Sequence, residues 1–183
     1  MPSCQLHHVS ALFVHHSRRV RLLTAGIHLS LLQIPQIRDQ IFFFLRETAS
    51  VSQIENVLGT WCIASHDIDR SVASTSSKSW INAIDPNNLD LDERFLPPLI
   101  AFIKRTILDP NGVYAYFNPA QPPAAPTPPP KKGPRRDERR EDSEPGARSK
   151  AEDLEENEHD RKARLRVGAF GAVKRILGAC HKG

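Results

Sequence analysis

The sequence predicts a mostly α-helical protein, with a small helical domain followed by a long disordered tail that is rich in proline and charge. Before residue 118, apolar residues recur at spacings of three and four, which is the period of a helix that buries one face. More than half of the fifteen prolines lie between residues 118 and 134. Residues 131–166 then alternate basic and acidic clusters and hold too few apolar side chains to offset the entropy of ordering.

The length of 183 residues and these changes of composition predict one domain within a chain of four regions. We expect a flexible N-terminus at 1–17, a helical domain at 18–117, a disordered linker at 118–160 and a cationic amphipathic helix at 161–180. Three widely spaced cysteines argue against a disulfide framework and favour a reducing location, cytoplasmic or nuclear. No apolar run reaches the ~18 residues that a membrane span requires, so no transmembrane span is expected.

The N-terminal part of the chain, up to Leu31, has two interpretations. It contains histidine, serine and arginine but no acid, a composition typical of a mitochondrial presequence. Alternatively it opens the folded domain behind a frayed terminus. Val20, Leu23, Ile27 and Leu31 fit one face of a helix, while the alternation of Ile27, Leu29 and Leu31 fits a strand about as well. We favour a first core element here.

The densest apolar segment runs from Leu31 to Glu47 and predicts a helix that begins near Pro35, because proline loses no hydrogen bond in a first turn. The residues at helical spacing, which predict its core face, are Ile37, Ile41, Phe44 and Leu45. Phe42 and Phe43 widen the apolar surface beyond one packed face. We therefore expect part of this surface to contact a partner.

Ser52 and Glu55 fit a capping box at the start of a second helix. The residues expected on its buried side are Ile54, Val57, Leu58, Trp61 and Cys62. Residues 67–79 are polar and serine-rich, which predicts a loop. The chain is then expected to return to the core through Trp80, Ile81 and Ile84.

A later helix, opened by Asp90 and Glu93, is interrupted by two prolines and is expected to restart at Pro98. Its predicted apolar face consists of Leu99, Ile100, Phe102, Ile103 and Ile107. We interpret residues 113–117 as an aromatic cap on the helices rather than a strand, since no strand partner is evident.

The C-terminal segment Arg161–Cys180 predicts a cationic amphipathic helix. Its apolar face consists of Leu165, Ala169, Phe170, Val173, Ile176 and Leu177. Lysine and arginine, without any acid, supply the rest of its polar surface. Three interpretations follow: the helix lies weakly on an anionic membrane surface, binds nucleic acid, or docks against the folded domain.

The sequence contains none of the motifs that mark nucleophilic, metal-dependent or phosphate-binding enzymes, so we expect no enzyme and no cofactor. Near the N-terminus, several side chains of the zinc-ligand type occur at spacings that match no known zinc module, so no metal site is predicted; they are Cys4, His7, His8, His15 and His16. Cys62 beside His66 lacks any indication of reactive geometry, and a structural cysteine is the better interpretation.

The pattern Leu-Leu-x-Ile-Pro-x-Ile-x-Asp-x-Ile-Phe-x-Phe-Leu at residues 31–45 resembles the opening of an F-box as it occurs in many fungal proteins. The resemblance extends to about residue 70, through a second helix that contains Trp61 and Cys62. It implies a small helical module that docks on the Skp adaptor of a cullin-RING ubiquitin ligase. The positions it implies for adaptor contact are Ile34, Pro35, Ile37, Ile41 and Leu45. The chain departs from the family pattern at Gln36, where an acid is usual, and in the order of Cys and Trp.

We therefore predict a non-enzymatic protein–protein interaction module, in its specific form an F-box-like adaptor. The predicted partner-binding residues are Ile34, Pro35, Ile37, Ile41, Phe42, Phe43 and Leu45. The alternatives are a coat- or nucleocapsid-type protein that binds nucleic acid, an organelle-targeted or membrane-surface protein, and an open reading frame without a settled fold. The nucleic-acid alternative depends on a basic cluster of Lys131, Lys132, Arg135, Arg136, Arg139 and Arg140.

Overall fold

A computed structural model describes residues 2–84, 94–109, 113 and 156–180 of the chain. In these residues every regular element is helical and no strand occurs, which confirms the mostly helical fold class. The helices are α1 (Pro2–Phe13), α2 (Arg18–Leu32), α3 (Pro35–Phe43), α4 (Val51–Ala64), α5 (Arg70–Ala83), α6 (Leu96–Leu108) and α7 (Glu158–Cys180), and a π-helical turn (Phe44–Thr48) extends α3.

Helix α4 is the centre of the fold. All but one of its side chains from Ile54 to Ala64 are buried, and α1, α5, α6 and α7 all pack against it. Gly59 allows α6 to approach closely, because a Cβ atom at this position would overlap the ring of Phe102. Trp61 lies edge-on to Trp80 of α5, with ring centroids 4.9 Å apart, and donates its indole N–H to Ser79 Oγ at 2.8 Å.

The predicted capping box of α4 is wrong by two residues. The Ser50 hydroxyl accepts from the Gln53 amide at 3.3 Å, and the Gln53 side chain accepts from the Ser50 amide at 2.9 Å. Ser52 already lies in the first helical turn, because the chain leaves its extended conformation at Ser50. Glu55 instead forms an ion pair with Arg105 of α6.

The predicted loop at 67–79 is also wrong, because α5 occupies most of it. Asp69 caps this helix by accepting from the amides of Ser71 and Val72, each at 3.0 Å. Its serines are compatible with a buried face because their side chains are small and bond locally; Ser79 donates to the Ser76 carbonyl at 2.8 Å. The expected return of the chain to the core is confirmed for Trp80, which is buried.

Two other predictions are only partly correct. Of the residues that were expected to return to the core, Ile84 is buried but Ile81 is exposed. Helix α6 begins at Leu96, before the predicted restart at Pro98, because both prolines fit within its first turn. The expected opening by Asp90 and Glu93 lies outside the described residues.

The N-terminal region is folded where we expected a flexible segment. Residues Pro2–Phe13 form α1, and Phe13 and Val14 are buried in the common core. The backbone carbonyls of Val14, His15 and His16 accept hydrogen bonds from arginine side chains, which fixes this segment. Val113 is buried, but residues 114–117 of the predicted aromatic cap and 118–155 of the predicted linker lie outside the described residues.

Candidate interaction surfaces

Helix α2 is inverted, with a polar buried side and an aliphatic outer side. Its buried residues are Arg21, Thr24, Ala25, His28 and Leu32. The outer side carries three exposed apolar residues at spacings of four, which places them in one line, and a fourth follows in the break before α3. We call them the α2 stripe: Leu23, Ile27, Leu31 and Ile34. The sequence placed Leu23, Ile27 and Leu31 in the core, and this prediction is wrong; Leu23 is 58% exposed and Ile27 is 62% exposed.

Several polar groups on the buried side of α2 have partners. Thr24 donates its hydroxyl to the Val20 carbonyl at 2.8 Å. The His28 ring meets Phe13 and Trp61 edge-on, with centroids 5.1 and 4.5 Å away. Burial lowers the pKa of His28 to about 4, so this imidazole is neutral at physiological pH. Its Nδ1 atom has no hydrogen-bond partner among the described residues.

Beyond its first turn, the outer side of α2 is free of charge, and the exposed Arg19 lies one turn before Leu23. No Lys, Arg, Asp or Glu occurs between Leu22 and Ile37. Basic residues close this segment at Arg21, which is buried, and at Arg38, which pairs with its neighbour Asp39 at 3.1 Å. A contiguous apolar surface without charge is typical of a site that another molecule covers.

Helix α3 continues this exposed surface. None of its nine residues is buried, although it follows α2 after a break of only two residues. The structure divides the predicted partner-binding residues into two sets. Ile34, Pro35 and Phe43 are exposed and Ile37 is partly exposed. Ile41 and Phe42 pack against the core, and Leu45 is 0% exposed, so Leu45 is not available to a partner in this conformation.

A buried ionic cluster lies where α2, the α4–α5 loop and α7 meet. We call it the arginine cluster, and its members are Arg21, Arg161, Arg164, Asp67 and Glu156. Arg164 donates from Nε to the Glu156 carboxylate at 2.8 Å and from Nη2 to the His15 carbonyl at 3.2 Å. Arg21 donates from Nε to Asp67 at 3.0 Å. The cluster ties the α1–α2 loop, α2, the α4–α5 loop and α7 together.

These contacts overturn one part of the prediction for α7. Arg161 and Arg164 were expected on its solvated face, yet both are buried. The bonds to backbone carbonyls explain the difference, since Arg161 Nε donates to the Val14 carbonyl at 2.9 Å and Arg164 Nη2 to the same oxygen at 3.3 Å. Hydrophobic periodicity predicts that a charged residue faces solvent, because the pattern carries no information about backbone carbonyls from other parts of the fold.

Helix α7 docks on the folded domain, which was one of its three interpretations. Leu165 and Ala169 are buried, as their places on the predicted apolar face require, whereas Phe170 and Leu177 are exposed. The approach is close at Gly168, where a Cβ atom would lie 2.7 Å from Ile63 Cγ2 and 2.9 Å from the Ile63 carbonyl oxygen. The docking therefore needs glycine at this point.

An apolar groove opens between α6 and α7, with a volume of about 380 Å³. Its aliphatic lining includes Ile100, Ile103, Ile107, Val173, Ile176 and Leu177. Lys104 is the one charged residue of the lining. Sequence reasoning missed the groove because it depends on how two helices diverge, although both apolar faces were predicted.

The described side chains offer little chemistry of other kinds. Burial raises the pKa of the Cys62 thiol to about 12, which keeps it protonated and unreactive. No group of three or more His, Cys, Asp or Glu among the described residues is arranged to hold a metal ion. Within the same part of the chain, no helix is both long and apolar enough to cross a membrane.

The remaining candidate residues are placed as follows. His15 and His16 stack with ring centroids 4.0 Å apart, and the His15 Nδ1 atom accepts from the Ser17 amide at 3.0 Å. His8 is exposed, while the side chains of Cys4 and His7 lie outside the described part. The basic cluster at 131–140 also lies outside it.

Comparisons of this chain with protein-family models, with curated proteins and with solved structures find no match. The F-box resemblance of residues 31–70 therefore stays a prediction. The surfaces described above are the basis of the function proposed next.

Proposed function

We propose that this protein is a non-enzymatic interaction module that uses the α2 stripe and the adjoining α3 to bind an apolar helical surface of a partner protein. The observation that carries the proposal is the inversion of α2, which buries Arg21, Thr24 and His28 and exposes Leu23 and Ile27. A helix oriented only by burial would turn its aliphatic side inward, because each exposed aliphatic side chain forgoes about 1.5–3 kcal/mol of transfer free energy.

The spacing of the stripe fits the recognition of one helix by another. Apolar anchors at successive turns are the pattern by which an amphipathic helix lies in an apolar groove. Because no charge occurs from Leu22 to Ile37, a partner that covers this segment desolvates no ion there, and the Arg38–Asp39 pair lies at its edge. The favoured partner therefore presents aliphatic or aromatic residues rather than a charged patch.

The F-box resemblance supplies a specific form of this proposal, in which the partner is a Skp-type adaptor. Two of the five implied adaptor contacts are exposed: Ile34, which is the last residue of the α2 stripe, and Pro35, which follows it. Leu45 is buried, so adaptor docking would have to use the exposed positions or open the turn that follows α3. We propose that the partner contacts the exposed positions alone.

The decisive experiment compares two pairs of exposed aliphatic residues. Ile27→Ser with Leu31→Ser alters the α2 stripe, and Val51→Ser with Ile68→Ser alters apolar residues elsewhere that are at least as exposed. Proximity labelling in cells with the full chain should give proteins that the wild type and the control pair share. The stripe pair should lose these proteins, by at least about tenfold in labelling, as expected for anchor residues.

The adaptor form is tested separately with purified Skp-type adaptor and isothermal titration calorimetry. We expect binding by the wild type and loss of it in Ile34→Ser with Pro35→Ala. Absence of adaptor binding would refute the F-box form alone. If the stripe pair and the control pair retain the same labelled proteins, the interaction-module proposal itself is refuted.

A further inference from the structure

We propose that the groove between α6 and α7 is a binding site for a small amphiphilic anion, namely a medium-chain alkyl carboxylate. The site is distinct from the α2 stripe and does not depend on the function proposed above. Its shape, lining and charge each point to this chemical class.

The shape of the groove is set by two antiparallel helices. Arg166, near the start of α7, donates to the Asp109 carbonyl at the end of α6 at 3.5 Å, while Val173 and Leu177 lie beside Ile100–Ile107 further along. The α6 side of the groove runs from Ile100 to Leu108, which is about 12 Å along a helix axis. A volume of about 380 Å³ lies within the range of roughly 300–1,000 Å³ that small-ligand pockets occupy.

The lining selects an alkyl chain over other apolar groups. Every lining residue except Lys104 is isoleucine, leucine or valine. Aliphatic walls offer no aromatic face for stacking and no amide or hydroxyl group to orient a heterocycle. A hydrocarbon chain loses no hydrogen bond on entering such a groove, because it brings no polar group that needs a partner.

The charge around the groove favours an anionic head group. Lys104 belongs to the lining and is exposed, and neither α6 nor residues 161–180 contain an acid. Among the described residues, Glu55 contacts α6 and is paired with Arg105. Asp109 lies beyond the last turn of α6, beside Arg166. A carboxylate at the rim therefore meets the ammonium group of Lys104.

The same charges argue against two other occupants. A second copy of the chain would bring its own Lys104 to the same surface, and like charges oppose that contact. An alkyl chain with a cationic head would meet the same repulsion. A carboxylate with an alkyl chain satisfies both the aliphatic walls and the basic rim.

The test is calorimetric titration of decanoate into the full-length chain, below the concentration at which decanoate forms micelles. We expect saturable binding with one decanoate per chain, and weaker binding of octanoate by roughly tenfold, since two fewer methylenes are buried. Decyltrimethylammonium, with the same chain and opposite charge, should bind at least about tenfold more weakly. Methyl resonances of the groove residues should shift on titration.

Two variants alter the groove and two serve as controls. Leu177→Gln places a polar group at an exposed wall position and should weaken decanoate binding about tenfold, whereas Ile81→Gln at a similarly exposed position on α5 should not. Lys104→Gln should weaken decanoate about two- to fivefold, as expected for an exposed ion pair. The pair Ile27→Ser with Leu31→Ser should bind decanoate as the wild type does.

Several outcomes would overturn the proposal. These are no saturable binding of decanoate, equal binding of the cationic analogue, and equal loss in Leu177→Gln and Ile81→Gln. Co-sedimentation with phosphatidylglycerol vesicles in the absence of decanoate binding would also overturn it, because the groove would then serve a membrane surface and not a free carboxylate.

Discussion

The arginine cluster and the α2 stripe differ in the kind of residue that is buried. In the arginine cluster, three arginines lie buried among carboxylates and backbone carbonyls. In the α2 stripe, four aliphatic residues are exposed. The difference teaches that burial here follows from available hydrogen-bond acceptors and not from hydrophobicity alone. It gives the arginine cluster a structural role, whereas the α2 stripe is the surface at which we propose that a partner binds.

The largest effect is expected at the arginine cluster, from Arg164→Ala. Loss of this side chain removes the bonds to Glu156 and to the carbonyls of Val14 and His15 and leaves Asp67 with less compensation. Breaking a buried ion pair from one side costs about 3–5 kcal/mol. We expect a loss of this size in the free energy of unfolding, measured by urea denaturation.

Lys174→Ala is the control for this prediction, because Lys174 lies on the same helix but is exposed. It should change the free energy of unfolding by less than about 0.5 kcal/mol. Arg164→Lys should fail to restore stability, since an ammonium group cannot bond to carboxylate and carbonyls with the fork of a guanidinium. Amide hydrogen exchange should rise throughout α7 in Arg164→Ala. Similar stability of the two alanine variants would contradict the structural role of the cluster.

The next effect concerns pH and the buried imidazole of α2. Burial lowers the pKa of His28 from 6.5 to about 4. The unfolded chain takes up a proton near pH 6.5 and the folded chain does not, so His28 has no effect on stability above that pH and lowers it as the pH falls from 6.5 toward 4. Between pH values above 6.5 and below 4, His28 changes the free energy of unfolding by about 3 kcal/mol.

His28→Leu should remove this share of the pH dependence when urea midpoints are compared between pH 7 and pH 4.5. The pKa of His66 is also lowered to about 4, mainly by burial, so the variant should keep a residual decline in the same direction. His8→Leu changes an exposed histidine and should follow the wild-type curve. If His28→Leu declines as steeply as the wild type, the imidazole is not the buried neutral group described above.

Much of this fold is predictable from the sequence because α4 and α6 follow simple periodicity. Trp61 and Phe102 are buried where apolar spacing places them. The sequence fails where a polar residue is buried. Asp69 and the serines of α5 predict a loop by composition, but a cap and small side chains allow a packed helix. The burial of Arg21 in α2 is unpredictable for the same reason, because it depends on Asp67, which is 46 residues away, and on the carbonyls of His15 and His16 in the preceding loop.

The candidate sites show the same division. Ile34 and Pro35 are predicted as contact residues and are exposed, whereas Leu45 has the same periodicity and is buried. Periodicity identifies a face but not whether another element covers it. The α6–α7 groove combines two predicted apolar faces, yet only the packing angle of the helices leaves space between them.

The smallest effects on stability are expected from alanine substitutions at two glycines, one in α7 and one in α2. At Gly168 in α7, a Cβ atom would meet the Ile63 side chain and carbonyl at 2.7 and 2.9 Å. Gly168→Ala should therefore destabilise the chain by about 1–3 kcal/mol, as overpacking does. At Gly26 in α2, no atom of the described residues lies within 4 Å of the added Cβ, apart from its chain neighbours and the backbone of its own helix. Gly26→Ala should stabilise the chain by about 0.5–1 kcal/mol through helix propensity.

Measuring partner binding by Gly26→Ala and Gly168→Ala distinguishes the roles of α2 and α7 further. Nothing within the described part of the chain requires glycine at position 26, which precedes Ile27 of the α2 stripe. If a partner approaches the backbone there, Gly26→Ala should raise the urea midpoint and lower the labelling of the proteins shared by the wild type and the control pair. Gly168→Ala should lower the midpoint and leave the labelling unchanged at temperatures where the chain is folded. A stabilised Gly26→Ala variant with unchanged labelling would place the contact on the stripe side chains alone and exclude close backbone approach.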